Sequence, residues 1–127
     1  MQFVWVMVGG AVGSALRHAL GMWADARFGA PPLTFPWGTF AVNVLGSFLL
    51  GAVFVLGEEK NLLTPDVRLL LGTGLLGGFT TYSTFNLQVL RFGAVGDFRS
   101  AVLYAAGTAV VCLIAGVAGM ACVRLVG

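Results

Sequence analysis

Apolar positions dominate the chain, and charges and helix breakers divide them into four segments. The first runs from about Phe3 to Ala24 and contains Arg17 and His18. Asp25-Ala-Arg-Phe-Gly-Ala-Pro-Pro32 then reads as a loop. The second runs from about Pro36 to Gly57, inside a charge-free stretch from Phe28 to Gly57. Glu58, Glu59, Lys60 and Asn61 make a polar loop. Thr64-Pro65-Asp66 predicts a helix start, with Thr64 as N-cap and Pro65 at the first helical position. The third segment runs from there to about Arg91, and the fourth from about Phe98 to Val123. Each reaches the roughly 20 residues that a helix needs to cross a bilayer. The pattern predicts an all-α membrane protein, with four transmembrane helices in a single domain over residues 1–127. There is no long linker, and no internal repeat of the kind that builds large transporters.

Composition supports the same class. Of 127 residues, 58% are hydrophobic and 9% charged, whereas a soluble domain carries about 25% charged residues. Nineteen glycines suit membrane helices that pack closely. The net charge of +2 includes no basic cluster, so a nucleic-acid partner is not expected. Cys112 and Cys122 are ten residues apart in one apolar run. That is roughly 15 Å along a helix, too far for a disulfide. The first residues lack a basic region and no A-x-A site follows, so a cleaved signal peptide is not expected.

Four spans place the N-terminus, the Glu58–Asp66 loop and the C-terminus on one side. That side holds Lys60, Arg68 and Arg124; the other holds Arg27, Arg91 and Arg99. With Arg17 set aside as intramembrane, the positive-inside rule gives no preferred orientation. Two readings stand: a weak bias, or dual topology in which copies insert both ways and pair antiparallel.

The run from Gly72 to Phe85 is the least ordinary. Gly77 and Gly78 lie mid-span, followed by Thr80, Thr81, Ser83 and Thr84. Glycines and β-branched residues weaken a helix, and hydroxyls compete for its backbone groups. A break would free carbonyls and amides at membrane depth, where they must be buried in protein, wetted or bound to an ion. The alternative is an unbroken helix with a glycine packing face. Thr39, Asn43 and Ser47 share a stripe on the second segment, as Tyr104, Thr108 and Cys112 do on the fourth, and Gly13, Arg17 and Gly21 on the first. Such stripes avoid lipid. They serve either as hydrogen-bonding glue between helices or as the walls of a permeation path. Arg17 is the only ionised group expected well inside a span. It either has a function there or snorkels to the interface. His18 reads as a packing or interface residue.

Absent groups narrow the chemistry. All five carboxylates (Asp25, Glu58, Glu59, Asp66 and Asp97) fall at span ends or in loops, so none is placed for proton coupling. No nucleophile–base pair or cysteine–histidine metal set is present. The inward groups are mostly donors, and donors favour an anion.

Gly77-Gly-Phe-Thr-Thr-Tyr-Ser-Thr-Phe85 resembles the third-helix signature of the Fluc fluoride channels of bacteria. Pro36-Trp-Gly-Thr-Phe-Ala-Val-Asn43 is similar to their second-helix start, and Gly9-Gly-Ala-Val-Gly-Ser-Ala-Leu-Arg17 to their first helix. The resemblance covers the whole chain. It implies an antiparallel, dual-topology homodimer in the bacterial cytoplasmic (inner) membrane, exporting fluoride passively from the cytoplasm. It implies a structural sodium ion at the dimer centre, held by the backbone carbonyls of Gly77 and Thr80. The implied fluoride pore includes Asn43, Tyr82, Ser83, Thr84, Phe85, Tyr104 and Thr108, with Arg17 near a vestibule. The polar track continues to Cys112. Two positions depart from the family pattern: Tyr82 stands where phenylalanine is usual, and Cys112 where serine is expected. A thiol is the weaker donor. The rivals are a small proton-coupled exporter, which needs an intramembrane acid, and a structural subunit with no transport of its own.

Overall fold

The computed structural model of the protein describes residues 1–31 and 34–127. Those residues form helices joined by short connections, with no strand among them. Helix α1 spans Gln2–Phe28, and α2 spans Trp37–Phe54 with a wider π-type continuation over Val55–Glu59. The third apolar segment is divided. Its first part, α3, runs end to end through Pro65–Arg68, the π-type turns Leu69–Leu76, and Gly77–Phe79. Its second part, α4, is Tyr82–Ala94. Helix α5 spans Phe98–Val126.

Among the described residues, three helices are long and apolar enough to cross a membrane: Gln2–Phe28, Trp37–Glu59 and Phe98–Val126. This is an all-helical, multi-pass membrane protein. The 29 residues of α5 extend to about 44 Å at 1.5 Å per residue, long enough to cross a bilayer at a tilt.

The ends of the segments differ in places from the sequence reading. Asp25, Ala26, Arg27 and Phe28 belong to α1, not to a loop. All four accept helical geometry, and Arg27 suits the negative end of the helix dipole. The helix ends at Gly29, whose φ of 92° is open to glycine. The last proline of that expected loop, Pro32, lies outside the described residues. The start of α3 is as the sequence suggests: Thr64 Oγ1 accepts from the Val67 amide at 3.3 Å, with Pro65 in the first turn. Asp97 caps α5 in the same way, accepting from the Ser100 amide. Hydrogen bonds from the Ser100 side chain and amide hold its carboxyl below the usual carboxylate range.

Helix α1 packs on α3, and α2 on α5. Both crossings bring backbone against backbone. A Cβ at Gly9 would lie 2.7 Å from the Leu75 amide nitrogen, and one at Gly78 would lie 2.7 Å from the Gly10 carbonyl oxygen. Glycines therefore let α1 and α3 touch, as small residues do in membrane interfaces. Gly51 and Gly119 play that part between α2 and α5, against the backbones at Gly116 and Phe48. One end of the bundle is fastened by Arg68–Glu58 at 2.6 Å, by Arg124–Glu59, and by Lys60 Nζ donating to the Val123 carbonyl at 2.9 Å. These contacts place residues 58–60 beside the C-terminal end of α5.

Gly77 and Gly78 differ sharply. Gly77 is helical (φ −62°, ψ −38°), and a Cβ there meets nothing closer than 3.7 Å. Gly78→Ala should therefore destabilise the protein by about 1–3 kcal/mol through overpacking. Gly77→Ala should preserve the fold, because alanine favours a helix over glycine. Thermal unfolding of the two detergent-solubilised variants checks this. A lower midpoint for Gly77→Ala than for Gly78→Ala would contradict the packing.

Candidate functional site: two cavities meeting at Thr81

The chain leaves helical geometry at Thr80 (φ −82°, ψ 157°) and Thr81 (φ −149°, ψ 118°). Gly77 and Gly78, where weak propensity pointed, are helical. The hydroxyls and Asn43 decide the position. Thr80 turns its Oγ1 back onto the Leu76 carbonyl at 3.0 Å, and its amide donates to the same oxygen. Thr81 caps α4, its Oγ1 accepting from the Thr84 amide at 3.3 Å.

Asn43 of α2 holds the Thr81 backbone from both sides. Its Oδ1 accepts from the Thr81 amide at 2.8 Å, and its Nδ2 donates to the Thr81 carbonyl at 3.0 Å. The pairing fixes which way the Asn43 amide faces. It also leaves one of the two Nδ2 hydrogens for another acceptor. In an unbroken helix the carbonyls of Gly77 and Thr80 would accept from the amides of Thr81 and Thr84. Those two amides donate instead to Asn43 and to the Thr81 hydroxyl.

Two cavities meet at Thr81. The first, of about 320 Å³, is lined by Arg17, Thr39, Thr81, Thr84 and Gln88, among others. The Nε atom of Arg17 is buried without a hydrogen-bond partner. The exposed side chains of His18 and Asp25 also border this cavity. The second, of about 300 Å³, is lined by Asn43, Ser47, Tyr82, Phe85, Thr108 and Cys112, together with Thr80 and Thr81. The Tyr82 and Phe85 rings lie 5.7 Å apart at 57°, and Phe85 lies 5.1 Å from Tyr104.

Tyr104 is 2% exposed, and its hydroxyl donates to Gln88 Oε1 at 2.7 Å. Gln88 Nε2 donates on to Thr39 Oγ1 at 2.9 Å. The stripes therefore do two things. Thr39 and Tyr104 hold α2, α4 and α5 together through Gln88. Thr108, 5% exposed, faces the second cavity with its hydroxyl unpartnered.

Of the expected site residues, the structure brings Asn43, Tyr82, Phe85 and Thr108 to the second cavity, and Arg17 and Thr84 to the first. Tyr104 is linked to the first through Gln88. Ser83 is exposed and lines neither. Gln88 escaped the sequence reading. Its place four residues after Thr84, on one face of α4, is the signal that could have found it.

Among the described residues no cluster of histidine, cysteine and carboxylates could hold a metal ion. Hydroxyl, amide and aromatic side chains line two cavities among the apolar helices of a membrane protein. Residues 4–120 match the family described as CrcB-like protein, Camphor Resistance (CrcB). The chain is similar to a fluoride-specific ion channel FluC of Sorangium cellulosum, 46% identical over 97% of this chain and 94% of the relative. It is 41% identical to a protein of the same name from Acidobacterium capsulatum, over 82% of this chain and 81% of that one. A third, from a Roseiflexus strain, is 43% identical over 82% of each chain. The chain belongs to this CrcB/Fluc family, a family of ion channels, and is not an enzyme.

Proposed function

We propose that the protein is a fluoride-selective channel that lets fluoride leave the cytoplasm passively. It works as an antiparallel, dual-topology homodimer in the bacterial cytoplasmic (inner) membrane, with a structural sodium ion at its centre. The observation that carries the reading is the second cavity: an unpartnered, buried Thr108 hydroxyl faces the space bordered by Asn43, Tyr82 and Phe85. A small anion loses strongly bound water on entry, and hydroxyl and amide hydrogens replace it. Ring edges carry partial positive charge and add to this. Arg17, at the first cavity, raises the local anion concentration. The names of the relatives point to the same ion. In a fluoride-sensitive bacterium lacking its own exporter, the gene should restore growth in fluoride. Growth no better than with empty vector, despite membrane expression, would count against the reading.

The dimer accounts for surface that the protomer leaves open. Tyr82 is 77% exposed, although it belongs to the family signature. A second copy would cover it and close the cavity wall. The charge balance of Lys60, Arg68 and Arg124 against Arg27, Arg91 and Arg99 suits insertion in both orientations. A reporter fused to the C-terminus should appear on both membrane faces. Two lysines added to one loop should drive it to a single face. A single orientation for the unmodified chain would contradict dual topology.

Sodium fits the carbonyls of Gly77 and Thr80, whose usual helical partners donate elsewhere. Carbonyl oxygen is a hard ligand suited to a small cation. The exposed Gly77 would lie at the interface. Replacing sodium by a large organic cation should therefore lower flux, and Thr80→Ser should keep it. Gly77→Ala should lower flux while the protomer still folds. Sodium-independent flux would remove the ion from the account.

A further inference from the structure

We propose that Cys112 is a covalent modification site inside the second cavity, where a small thiol-directed electrophile obstructs the path. Cys112 is a free, half-buried cysteine in the cavity wall. It lies four residues after Thr108 on α5, so the two share a face. The Thr108 hydroxyl is the independent sign that the cavity takes a polar occupant. A buried hydroxyl without a partner costs about 1–3 kcal/mol, and native proteins rarely leave one so. A space of about 300 Å³ has room for a small uncharged reagent. Cys122, the other thiol, is exposed, and the residues of neither cavity include it.

Methyl methanethiosulfonate is a suitable probe. The Cys112 sulfur attacks the sulfenyl sulfur of the reagent and forms a new S–S bond. The S–SO₂ bond breaks, methanesulfinate leaves with the electron pair, and the thiol proton passes to water. The added S-methyl group occupies space beside Phe85 and Thr108. A serine at this position would be inert to the same reagent.

The obstruction, though not the modification, rests on the channel reading, so two readouts are needed. The full chain in liposomes is treated with the reagent, then assayed by intact mass and by fluoride efflux. Cys122→Ser should gain one adduct and lose efflux at least tenfold relative to its untreated sample. Dithiothreitol should restore the efflux. Cys112→Ser should show a treated-to-untreated efflux ratio near one. No adduct on folded Cys122→Ser, under conditions that label the detergent-unfolded chain, would overturn the site. An adduct with unchanged efflux would overturn the obstruction. Untreated protein without any efflux would count against the channel reading and obstruction together, while the mass readout would still decide the site.

Discussion

Phe85→Ile is expected to cut fluoride efflux from liposomes by roughly fivefold, with the protein still folded. Isoleucine keeps the apolar bulk but has no ring edge. Ring-edge contacts contribute on the order of 1 kcal/mol, and about 1.4 kcal/mol at a barrier is a factor of ten in rate. The site makes Phe85 the sensitive position. Its ring lies in the cavity wall and packs, tilted, against Tyr104 with the centroids 5.1 Å apart. Tyr82→Phe should keep flux, because it retains the ring edge and restores the residue usual in the family. Efflux from Phe85→Ile equal to that of the parent would take the ring out of the path. Complete loss in Tyr82→Phe would show that the Tyr82 hydroxyl is the working group.

Asn43→Ala should be the more damaging substitution. It removes both hydrogen bonds that hold the Thr81 backbone. Each stranded backbone group costs about 1–3 kcal/mol, so the pair costs about 2–6 kcal/mol. The thermal midpoint should fall by several degrees, and flux should be lost. Asn43→Asp separates the two bonds. Its carboxylate still accepts from the Thr81 amide but faces the Thr81 carbonyl with no hydrogen, so its stability should fall between parent and alanine. An alanine variant with the parent midpoint would mean that the Thr81 backbone is satisfied without Asn43.

The helices were legible because their signals are long and local. Four apolar runs of span length, a Thr-Pro start at residue 64 and paired glycines need no knowledge of neighbours. The departure from helix at Thr80 and Thr81 was legible only approximately. Propensity pointed to Gly77 and Gly78, yet close packing of Gly78 on Gly10 keeps that stretch helical. The bond that locates the change comes from Asn43, thirty-eight residues away in sequence. The stripes were correct as inward faces, but sequence alone left glue and path as alternatives. The structure assigns Thr39 and Tyr104 to interhelical bonds and leaves Thr108 facing a cavity. Gln88 was missed because a lone amide in an apolar run carries no motif; its role depends on Thr39 and Tyr104 from two other helices. The extra helical turn after Asp25 was hidden by charged residues that a helix end tolerates. Ser83 is exposed and lines neither cavity, because the signature run crosses from one helix into the next.

The most direct measurement is fluoride efflux from liposomes holding the purified protein. A potassium ionophore supplies the compensating charge, and a fluoride electrode reads release. A fluoride channel gives rapid release once the ionophore is added, with no requirement for a proton gradient and little release of chloride under the same conditions. Release that needs a proton gradient and no charge compensation, or equal release of chloride, would contradict the channel reading.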